Sequence, residues 1–342
     1  MPMRLTWPAT IDGSLIALTP VHGTTTLAMT SFAIIGLGKM GGNMARRLRQ
    51  KGLAVAVFDQ DAGLTQTLAA ELGCPGATSV AELVAGLLPT AGQPRIVWVM
   101  LPSGQITEDM VKQVAALLRP GDLIVDGANS LYKDAQRRAT ALKPLGIEFA
   151  DAGVSGGVHG LANGYCLMVG GSDTALGHLK PYLTALSSAS PEAPNQGWLH
   201  TGPVGSGHYV KMVHNGIEYG MMQAFAEGFA LLEAKKEFDL DLAHVSELWR
   251  HGSVVRSWLL DLTAGALKAD ATLSGIKPHV ADSGEGRWTA QEAVDLGIPT
   301  PVMSLALMMR FASQGQDEFG AKLLAKMRQG FGGHAVQTRP NN

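Results

Sequence analysis

A glycine-rich turn between two regular segments is the feature that most restricts the fold of this chain. Glycines at positions 36, 38 and 41 give the spacing G-x-G-x-x-G. The apolar run FAII precedes the turn, a helix-like stretch follows it to Gly52, and AVAVFDQD comes next. This order of strand, glycine turn, helix and strand predicts a βαβ unit, in which glycines let the backbone approach a pyrophosphate at a helix N-terminus.

The alternation of strands and helices continues as far as IEFADAGVSGG. RIVWVMLPSG and DLIVDGANS read as strands followed by loops, with helical stretches near residues 64–72 and 106–118. This pattern predicts a parallel, doubly wound sheet with helices on both faces. After about residue 205 the chain reads as helices, over 207–236, 240–267, 287–313 and 316–329. The predicted fold class is an α/β Rossmann-type domain followed by an all-α C-terminal domain.

These patterns divide the chain into four parts. We expect an N-terminal extension over residues 1–30, a dinucleotide-binding domain over 31–206, a helical domain for substrate and oligomer contacts over 207–336, and a tail over 337–342. The extension has neither a charged start nor a compact apolar segment, so a signal peptide is not expected. It is interpreted as a loosely held tail, or as a sequence preceding a true start at Met29.

An acidic residue closes the second predicted strand. Asp59 follows the glycine turn by about 20 residues, where a carboxylate can accept hydrogen bonds from the adenosine ribose. Asp59 and Asp61 would repel a 2′-phosphate, and no arginine is close in the sequence to neutralise it. The sequence therefore favours NAD as the cofactor, with NADP as the alternative. Asp59 could also simply cap a turn.

The amino-acid composition and net charge exclude several classes of partner. The chain has 342 residues, of which 16% are charged, and a formal net charge of −2. This balance provides no basic surface for nucleic acid and no polybasic membrane anchor. No apolar run is long enough to span a bilayer. Cys74 and Cys166 lie far apart, which fits the cytoplasm, and both are expected to be small core residues.

The segment KMVHNGIEYG, residues 211–220, concentrates reactive side chains between apolar flanks. Lys211, Asn215 and Glu218 share one helix face, with His214 and Tyr219 beside it. Lys211 and Glu218 stand about 10 Å apart along the axis, so both can reach one small ligand. The alternative is a solvated polar face. Apolar flanks instead indicate burial, which is costly for charged groups unless they are paired or functional.

Five motifs, GLGKMGGN, MLPSG, DGANS, DAGVSGG and KMVHNGIEYG, together resemble the β-hydroxyacid dehydrogenases. KMVHNGIEY, WRHGSVVRSWLL, SGEGRWTA and RQGFGGH resemble the 6-phosphogluconate dehydrogenases in particular, across residues 31–336. With one copy of the helical domain, the chain is similar to the short branch that often uses NAD. The resemblance implies oxidative decarboxylation of 6-phosphogluconate to ribulose 5-phosphate and CO2, with hydride transfer to NAD.

The resemblance also implies roles for the groups on the reactive helix. Lys211 would take the proton of the carbon 3 hydroxyl as a neutral amine and return a proton during decarboxylation, which requires a lowered lysine pKa. Glu218 would protonate carbon 1 of the enediol. Asn215 and His214 would hydrogen-bond substrate hydroxyls. No metal is expected, because the ten histidines include no HExxH pair.

Two substrate ends and the cofactor contacts follow from the same motifs. Ser155, Gly156 and Gly157 would hold the carboxylate end, with Asn129 between substrate and nicotinamide. The phosphate end needs forked cationic donors, and motif matching assigns Tyr219, Arg256 and Arg287 to it. Arg328 and His334 would come from the neighbouring subunit's tail, so a homodimer or homotetramer is expected. The implied cofactor contacts are Gly36, Leu37, Gly38, Lys39, Met40, Gly41, Asp59, Met100, Leu101, Pro102 and Asn129.

Two departures and two alternatives remain. Residues 1–30 have no counterpart in the family, and His159 stands where a large aromatic, usually Trp, is expected. The chain could be another β-hydroxyacid dehydrogenase with an unphosphorylated substrate, although Arg256 and Arg287 argue against that. It could also be a non-catalytic protein that binds NAD as a signal, because a fold alone does not fix function. Retention of both Lys211 and Glu218 argues against such a protein.

Overall fold

The computed structural model describes residues 30–89, 92–188, 196–315, 318–332 and 335–337. The expected N-terminal extension therefore lies outside the described residues, except for Thr30. That residue is buried, and its hydroxyl accepts a hydrogen bond from the backbone N–H of Phe32 at 3.0 Å. The expected tail likewise falls outside the described residues from position 338 onward.

The N-terminal part contains a sheet with the strand order β2-β1-β3-β4-β5-β6-β7. Four neighbouring pairs from β2 to β5 are parallel, as is the pair β6–β7. The pair β5–β6 is antiparallel, so the prediction of a parallel sheet is wrong for this pair. Its two strands are joined by a connection too short for a parallel crossover. The strands are β1 (Phe32–Ile35), β2 (Ala56–Phe58), β3 (Ile96–Val99), β4 (Leu123–Asp126), β5 (Glu148–Ser155), β6 (Cys166–Gly170) and β7 (Trp198–Gly202).

The helices pack on both faces of this sheet and then form the C-terminal part. Those of the sheet region are α1 (Lys39–Gln50), α2 (Ala62–Leu72), α3 (Val80–Gly86), α4 (Gln105–Ala115), α5 (Tyr132–Leu142), α6 (Gly160–Asn163) and α7 (Asp173–Leu186). Those that follow are α8 (Ser206–Ala234), α9 (Leu242–Trp249), α10 (Trp258–Ala269), α11 (Glu285–Leu296), α12 (Pro301–Ser313) and α13 (Glu318–Gly332). The predicted class, a Rossmann-type domain followed by a helical one, is confirmed. The division at residue 206 stays a prediction.

Alternate residues of the buried strands supply two separate cores. Phe32 and Ile34 of β1 pack with α1 and α7, whereas Ala33 and Ile35 pack with α3 and α4 on the opposite face. Burial on both faces explains why these strands read as continuous apolar runs. The chain passes from β1 outward to β2 and then returns to the other side of β1 as β3, which opens a crevice at the carboxyl ends of β1 and β3.

The helical part is divided more finely than the sequence predicted. The predicted helix 240–267 is two helices, α9 and α10, separated by a turn in which Gly252 has φ +75°. The predicted helix 287–313 is also two, because α11 stops before its capping residue Gly297, which has φ +67°, and Pro301 begins α12. Helical periodicity continued across both breaks, so the apolar pattern alone did not reveal them.

One cysteine prediction is wrong. Cys74 is buried, as expected, but Cys166 is exposed. The reason is its position as the first residue of β6, paired with Ser155 at the end of β5.

Candidate active site

The glycine turn after β1 is shaped by close backbone contacts. Gly36 has φ +91°, and a Cβ on it would lie 2.3 Å from the carbonyl oxygen of Met100. A Cβ on Gly41 would lie 1.9 Å from the carbonyl oxygen of Gly36, so α1 can approach the turn only without a side chain here. Gly38 has nothing within 4 Å of its Cβ position and faces open space. This is the cradle that a dinucleotide pyrophosphate needs at a helix N-terminus.

Asp59 directly follows β2 at the edge of the same crevice. Its carboxylate accepts hydrogen bonds from the backbone N–H groups of Leu37, at 2.7 Å, and Asp61, at 2.9 Å. The side chain therefore ties the end of β2 to the glycine turn. Each carboxylate oxygen keeps a second lone pair that can accept a ribose hydroxyl. Turn formation and ribose binding, which the sequence treated as alternatives, are compatible.

The loops after β3 and β4 complete the crevice. Met100, Leu101 and Pro102 follow β3, and the Met100 N–H donates to the Ile35 carbonyl at 2.7 Å. Asn129 follows β4 with φ +39°, a left-handed conformation that asparagine tolerates better than most residues. Its side-chain oxygen accepts from the Val154 N–H at 3.1 Å. Asn129 thereby joins the cofactor crevice to β5, at the end of which the Ser155 motif lies.

The reactive side chains of α8 form a chain of contacts. Lys211 Nζ donates to Asn215 Oδ1 at 2.6 Å, and His214 Nδ1 lies 3.1 Å from the same oxygen. His214 Nδ1 also lies 3.7 Å from a carboxylate oxygen of Glu218. Lys211 and Asn215 are buried, whereas His214 and Glu218 are half-buried. The predicted face is thus assembled, with Lys211 at its buried end and Glu218 toward solvent.

The environment of Lys211 favours its neutral form. The residue is only 5% exposed, and burial lowers the pKa of its ammonium group below the usual lysine value. The nearby charges of Glu218, Glu285 and Cys166 act in the opposite direction but do not cancel this effect. Its direct hydrogen-bond partner is the neutral amide of Asn215 rather than a carboxylate. A lysine of this kind can accept a proton at moderate pH.

Two glycines and one aspartate hold α8 against the sheet. A Cβ on Gly153 of β5 would lie 2.3 Å from the Cβ of Lys211, and one on Gly207 would lie 2.6 Å from the Asp151 carbonyl oxygen. The Asp151 carboxylate accepts from the N–H groups of Gly205, at 2.6 Å, and His208, at 2.7 Å. A side chain from the sheet therefore caps this helix N-terminus. Sequence patterns within α8 could not indicate that cap.

The predicted carboxylate end lies on the loop after β5. Ser155 ends the strand, and Gly156 and Gly157 have φ +126° and +51°. Both glycines adopt conformations that other residues avoid, so the backbone of this loop requires glycine at both positions. His159 packs edge-on against Trp258 of α10, with ring centroids 5.5 Å apart. Its aromatic contact links this loop to the helical part.

The predicted phosphate end contains a cation that the motifs missed. Arg310 of α12 stacks on the Tyr219 ring, with its guanidinium carbon 3.6 Å from the centroid. The Tyr219 hydroxyl lies 3.2 Å from Ser283 Oγ, and burial raises the pKa of the Tyr219 phenol. Arg310 is the charged residue of the otherwise apolar stretch LALMMRF, and this placement was the sequence signal that could have identified it. A guanidinium held against a ring beside a hydroxyl is suited to binding an anion.

The predicted cations are placed differently. Arg287 donates two hydrogen bonds to Asp282 Oδ2, at 2.7 and 3.1 Å, and stacks on Phe311. Arg256 is exposed and lines a mostly apolar cavity of about 500 Å³ together with Phe225 and Trp249. Neither is shown in contact with Tyr219, unlike Arg310. Arg328 is exposed on α13, and His334 lies outside the described residues.

The described residues contain neither a cluster of metal-ligating side chains nor a membrane-spanning helix. In the ranges that the structure describes, no group of three or more His, Cys, Asp or Glu side chains could hold a metal ion. Within the same ranges, none of the helices combines the length and apolar character needed to cross a bilayer.

Comparison with known proteins covers nearly the whole described chain. Residues 31–197 match the family model described as the NAD binding domain of 6-phosphogluconate dehydrogenase. Residues 207–339 match the model of the 6-phosphogluconate dehydrogenase C-terminal domain. A Bacillus subtilis protein provisionally named as a 6-phosphogluconate dehydrogenase is 42% identical over 306 residues, covering 90% of this chain and 99% of the relative. Similarity therefore extends through both parts of the fold.

A second relative and a solved structure agree with this result. The NAD(+)-dependent, decarboxylating 6-phosphogluconate dehydrogenase of Haloferax volcanii is 40% identical over 304 residues, covering 89% of this chain and 97% of the relative. The Plasmodium falciparum 6-phosphogluconate dehydrogenase structure superposes with a TM-score of 0.75 and 30% identity, covering 91% of this chain and 67% of that one. That structure has been determined with NADP+ and with 6-phosphogluconate.

Proposed function

This chain belongs to the 6-phosphogluconate dehydrogenase family, and on that basis we propose that it oxidatively decarboxylates 6-phosphogluconate to ribulose 5-phosphate and CO2 with NAD. The observation that carries the proposal is the buried Lys211, whose pKa is lowered by burial and whose amine donates to the amide oxygen of Asn215. Asn215, His214 and Glu218 extend from it in one connected row. This row supplies a base at one end and a carboxylic acid at the other.

Proton transfers by the chain's own groups follow from that arrangement. Neutral Lys211 accepts the proton of the carbon 3 hydroxyl. NAD, held by the glycine turn and Asp59, would supply the hydride acceptor for this oxidation. The resulting ammonium is stabilised by the Asn215 oxygen and returns the proton to the carbonyl oxygen as CO2 leaves. Asn215 and His214 hydrogen-bond hydroxyls of the substrate and so hold it against these two groups. Carbon 1 of the substrate leaves as CO2, and an enediol remains. Glu218 then protonates the former carbon 2 of the substrate, which becomes carbon 1 of ribulose 5-phosphate.

The cofactor proposal rests on the crevice after β1. Gly36 and Gly41 allow the close backbone contacts of the turn, Gly38 leaves open space for a pyrophosphate, and Asp59 presents acceptor lone pairs beside the turn. Asp61 adds a second negative charge on the next loop. These carboxylates support a preference for NAD over NADP. The NAD(+)-dependent Haloferax relative is consistent with it.

The assay of NADH formation and CO2 release from 6-phosphogluconate tests the activity, with NAD and NADP compared. We expect both products in equal amounts, and a higher kcat/KM with NAD. Formation of NADH without release of CO2 would indicate a different β-hydroxyacid dehydrogenase activity. Binding of NAD without any turnover of 6-phosphogluconate would contradict the proposal and favour a non-catalytic NAD-binding role.

Asp59→Asn should reduce the preference for NAD. The amide keeps one acceptor for the Leu37 N–H, so the turn should persist, but the charge that repels a 2′-phosphate is lost. We expect the ratio of kcat/KM values, NAD over NADP, to fall by about tenfold, the equivalent of roughly 1.4 kcal/mol. An unchanged ratio in steady-state kinetics would show that Asp59 does not select the cofactor.

Arg310→Met should weaken substrate binding at the phosphate end. Loss of a charge-assisted hydrogen bond costs about 1.5–3 kcal/mol, so KM for 6-phosphogluconate should rise by about tenfold to a hundredfold. Arg256→Met, measured in parallel, tests the competing motif assignment. A larger increase in KM for Arg256→Met than for Arg310→Met would favour the motif assignment over the contact with Tyr219.

We also propose that the active form is a cytoplasmic homodimer or homotetramer. Arg328 and His334 would then reach the phosphate end of a neighbouring subunit. The exposed position of Arg328 on α13 is compatible with such a contact. Mixing an Arg328→Ala chain with a Lys211→Met chain tests it, because hybrid assemblies should regain one intact site. No recovery of activity in mixed assemblies would contradict a contribution from the neighbouring subunit.

A further inference from the structure

The first turn of α11 is fixed against the part of α8 that carries Lys211. Thr289 Oγ1 contacts two backbone carbonyls, that of Met212 on α8 and that of Glu285 on its own helix, each at 2.8 Å. Gly216 allows this approach, since a Cβ on it would lie 2.8 Å from Thr289 Cγ2. Thr289 is buried. The beginning of α11 therefore has a defined position one residue from Lys211 along α8.

The side chain of Glu285 points into this junction. It is 8% exposed, and its Oε2 accepts from Ser283 Oγ at 2.6 Å. Ser283 Oγ in turn lies 3.2 Å from the Tyr219 hydroxyl. Among the residues that the structure describes, no cation is shown within 4.0 Å of Glu285. A buried carboxylate with only a hydroxyl partner is unusual, because buried charges are normally paired.

The groups that act on Lys211 come from three elements. Glu218 lies on its own helix, Glu285 on α11 and Cys166 on β6, and all three raise the lysine pKa against the larger effect of burial. Glu285 and Glu218 also act on Tyr219, as does Arg310 of α12. Glu285 is the most buried of the three groups around Lys211 that carry or can acquire a negative charge. Its effect on the amine is second to that of Glu218, and it acts from a site where little water surrounds the carboxylate.

We propose that Glu285 is a positioning residue whose buried carboxylate balances Lys211 between its neutral and protonated forms and, through Ser283, orients Tyr219. This inference rests on the proposed function, in which Lys211 must both accept and return a proton. Burial alone would leave the lysine a weak base. The opposing carboxylate makes proton uptake in the oxidation step more favourable.

Glu285→Gln tests the electrostatic part of this proposal. The amide has the same shape but no charge, so the acid limb of the pH profile of kcat/KM should move to lower pH by about one unit. The bond from Ser283 to a neutral amide is weaker than that to a carboxylate, so Ser283 orients Tyr219 less firmly and KM for 6-phosphogluconate should rise as well. Glu285→Asp keeps the charge and should return the limb toward its wild-type position. Glu292→Gln on the same helix, which removes a carboxylate bonded to Tyr132, should leave the limb unchanged.

A second measurement does not depend on turnover. The rate at which an amine-selective acylating reagent modifies Lys211 in the free enzyme, followed by peptide mass spectrometry against pH, reports the lysine pKa directly. The pKa of Lys211 should fall in Glu285→Gln and in Glu285→Ser. The serine variant is included because the glutamine amide could disturb the local structure. An unchanged or raised value in both variants would overturn the role of Glu285. If 6-phosphogluconate is not a substrate, the proposed function fails while this measurement still decides the effect of Glu285 on Lys211.

Discussion

Lys211→Met should lower kcat/KM for 6-phosphogluconate by about 10³- to 10⁴-fold, because the group that removes the hydroxyl proton is lost. Methionine has a similar length and needs no desolvation, so the side chain can occupy the same buried space beside Gly153. We therefore expect Tm to be unchanged or higher. NAD affinity, measured by calorimetry, should also be unchanged, because the glycine turn is formed by other elements.

Lys112→Met provides the matched control. Lys112 is exposed on α4 and pairs with Glu108, so its loss should change activity by no more than about twofold. In the wild-type enzyme, kcat/KM should increase as pH rises through the lowered pKa of Lys211, since the neutral amine is the reactive form. That limb should lie below the ordinary lysine value of about 10.4. Substantial oxidation by Lys211→Met would assign the base to another group.

The sheet was predictable because local signals and the global fold agree there. Each buried strand is a short apolar run, and Gly36 and Gly41 are required by backbone contacts closer than a side chain allows. The reversed direction of β6 was not predictable, since an apolar run does not show which way its strand points. The breaks at Gly252 and Gly297 were missed because a helical pattern continues on either side of them.

The site was predictable where its residues share one helix. The spacing of Lys211, Asn215 and Glu218 fixes their common face, and the structure brings them together through Asn215 and His214. Contacts between distant segments were not predictable in the same way. Arg310 reaches Tyr219 from α12, across 91 positions of sequence, and no short motif records that distance. The assignments of Arg256 and Arg287 came from motif resemblance, which gives proximity along the chain rather than in space.

Glu218→Gln should separate the first chemical step from the last. Because Glu218 is half-buried and about two turns from Lys211, it can protonate carbon 1 of the enediol, which is carbon 2 of the substrate, without removing the proton of the carbon 3 hydroxyl. The first turnover should form NADH at close to the wild-type rate, whereas steady-state turnover should fall by about 10²- to 10⁴-fold. Rapid-mixing kinetics should show a burst of NADH, and acid quenching should trap an enediol or 3-keto intermediate.

Glu227→Gln is the matched control, since Glu227 lies on the same helix and bonds only Gln223 among its described contacts. It should show neither the burst nor the accumulation of an intermediate. A Glu218→Gln enzyme whose first turnover is slowed as much as its steady state would place Glu218 in the oxidation step instead. The burst thus distinguishes two mechanisms that are both compatible with the observed contacts among Lys211, Asn215, His214 and Glu218. In one, Lys211 and Glu218 act in sequence on adjacent carbons, and in the other they act together on one proton.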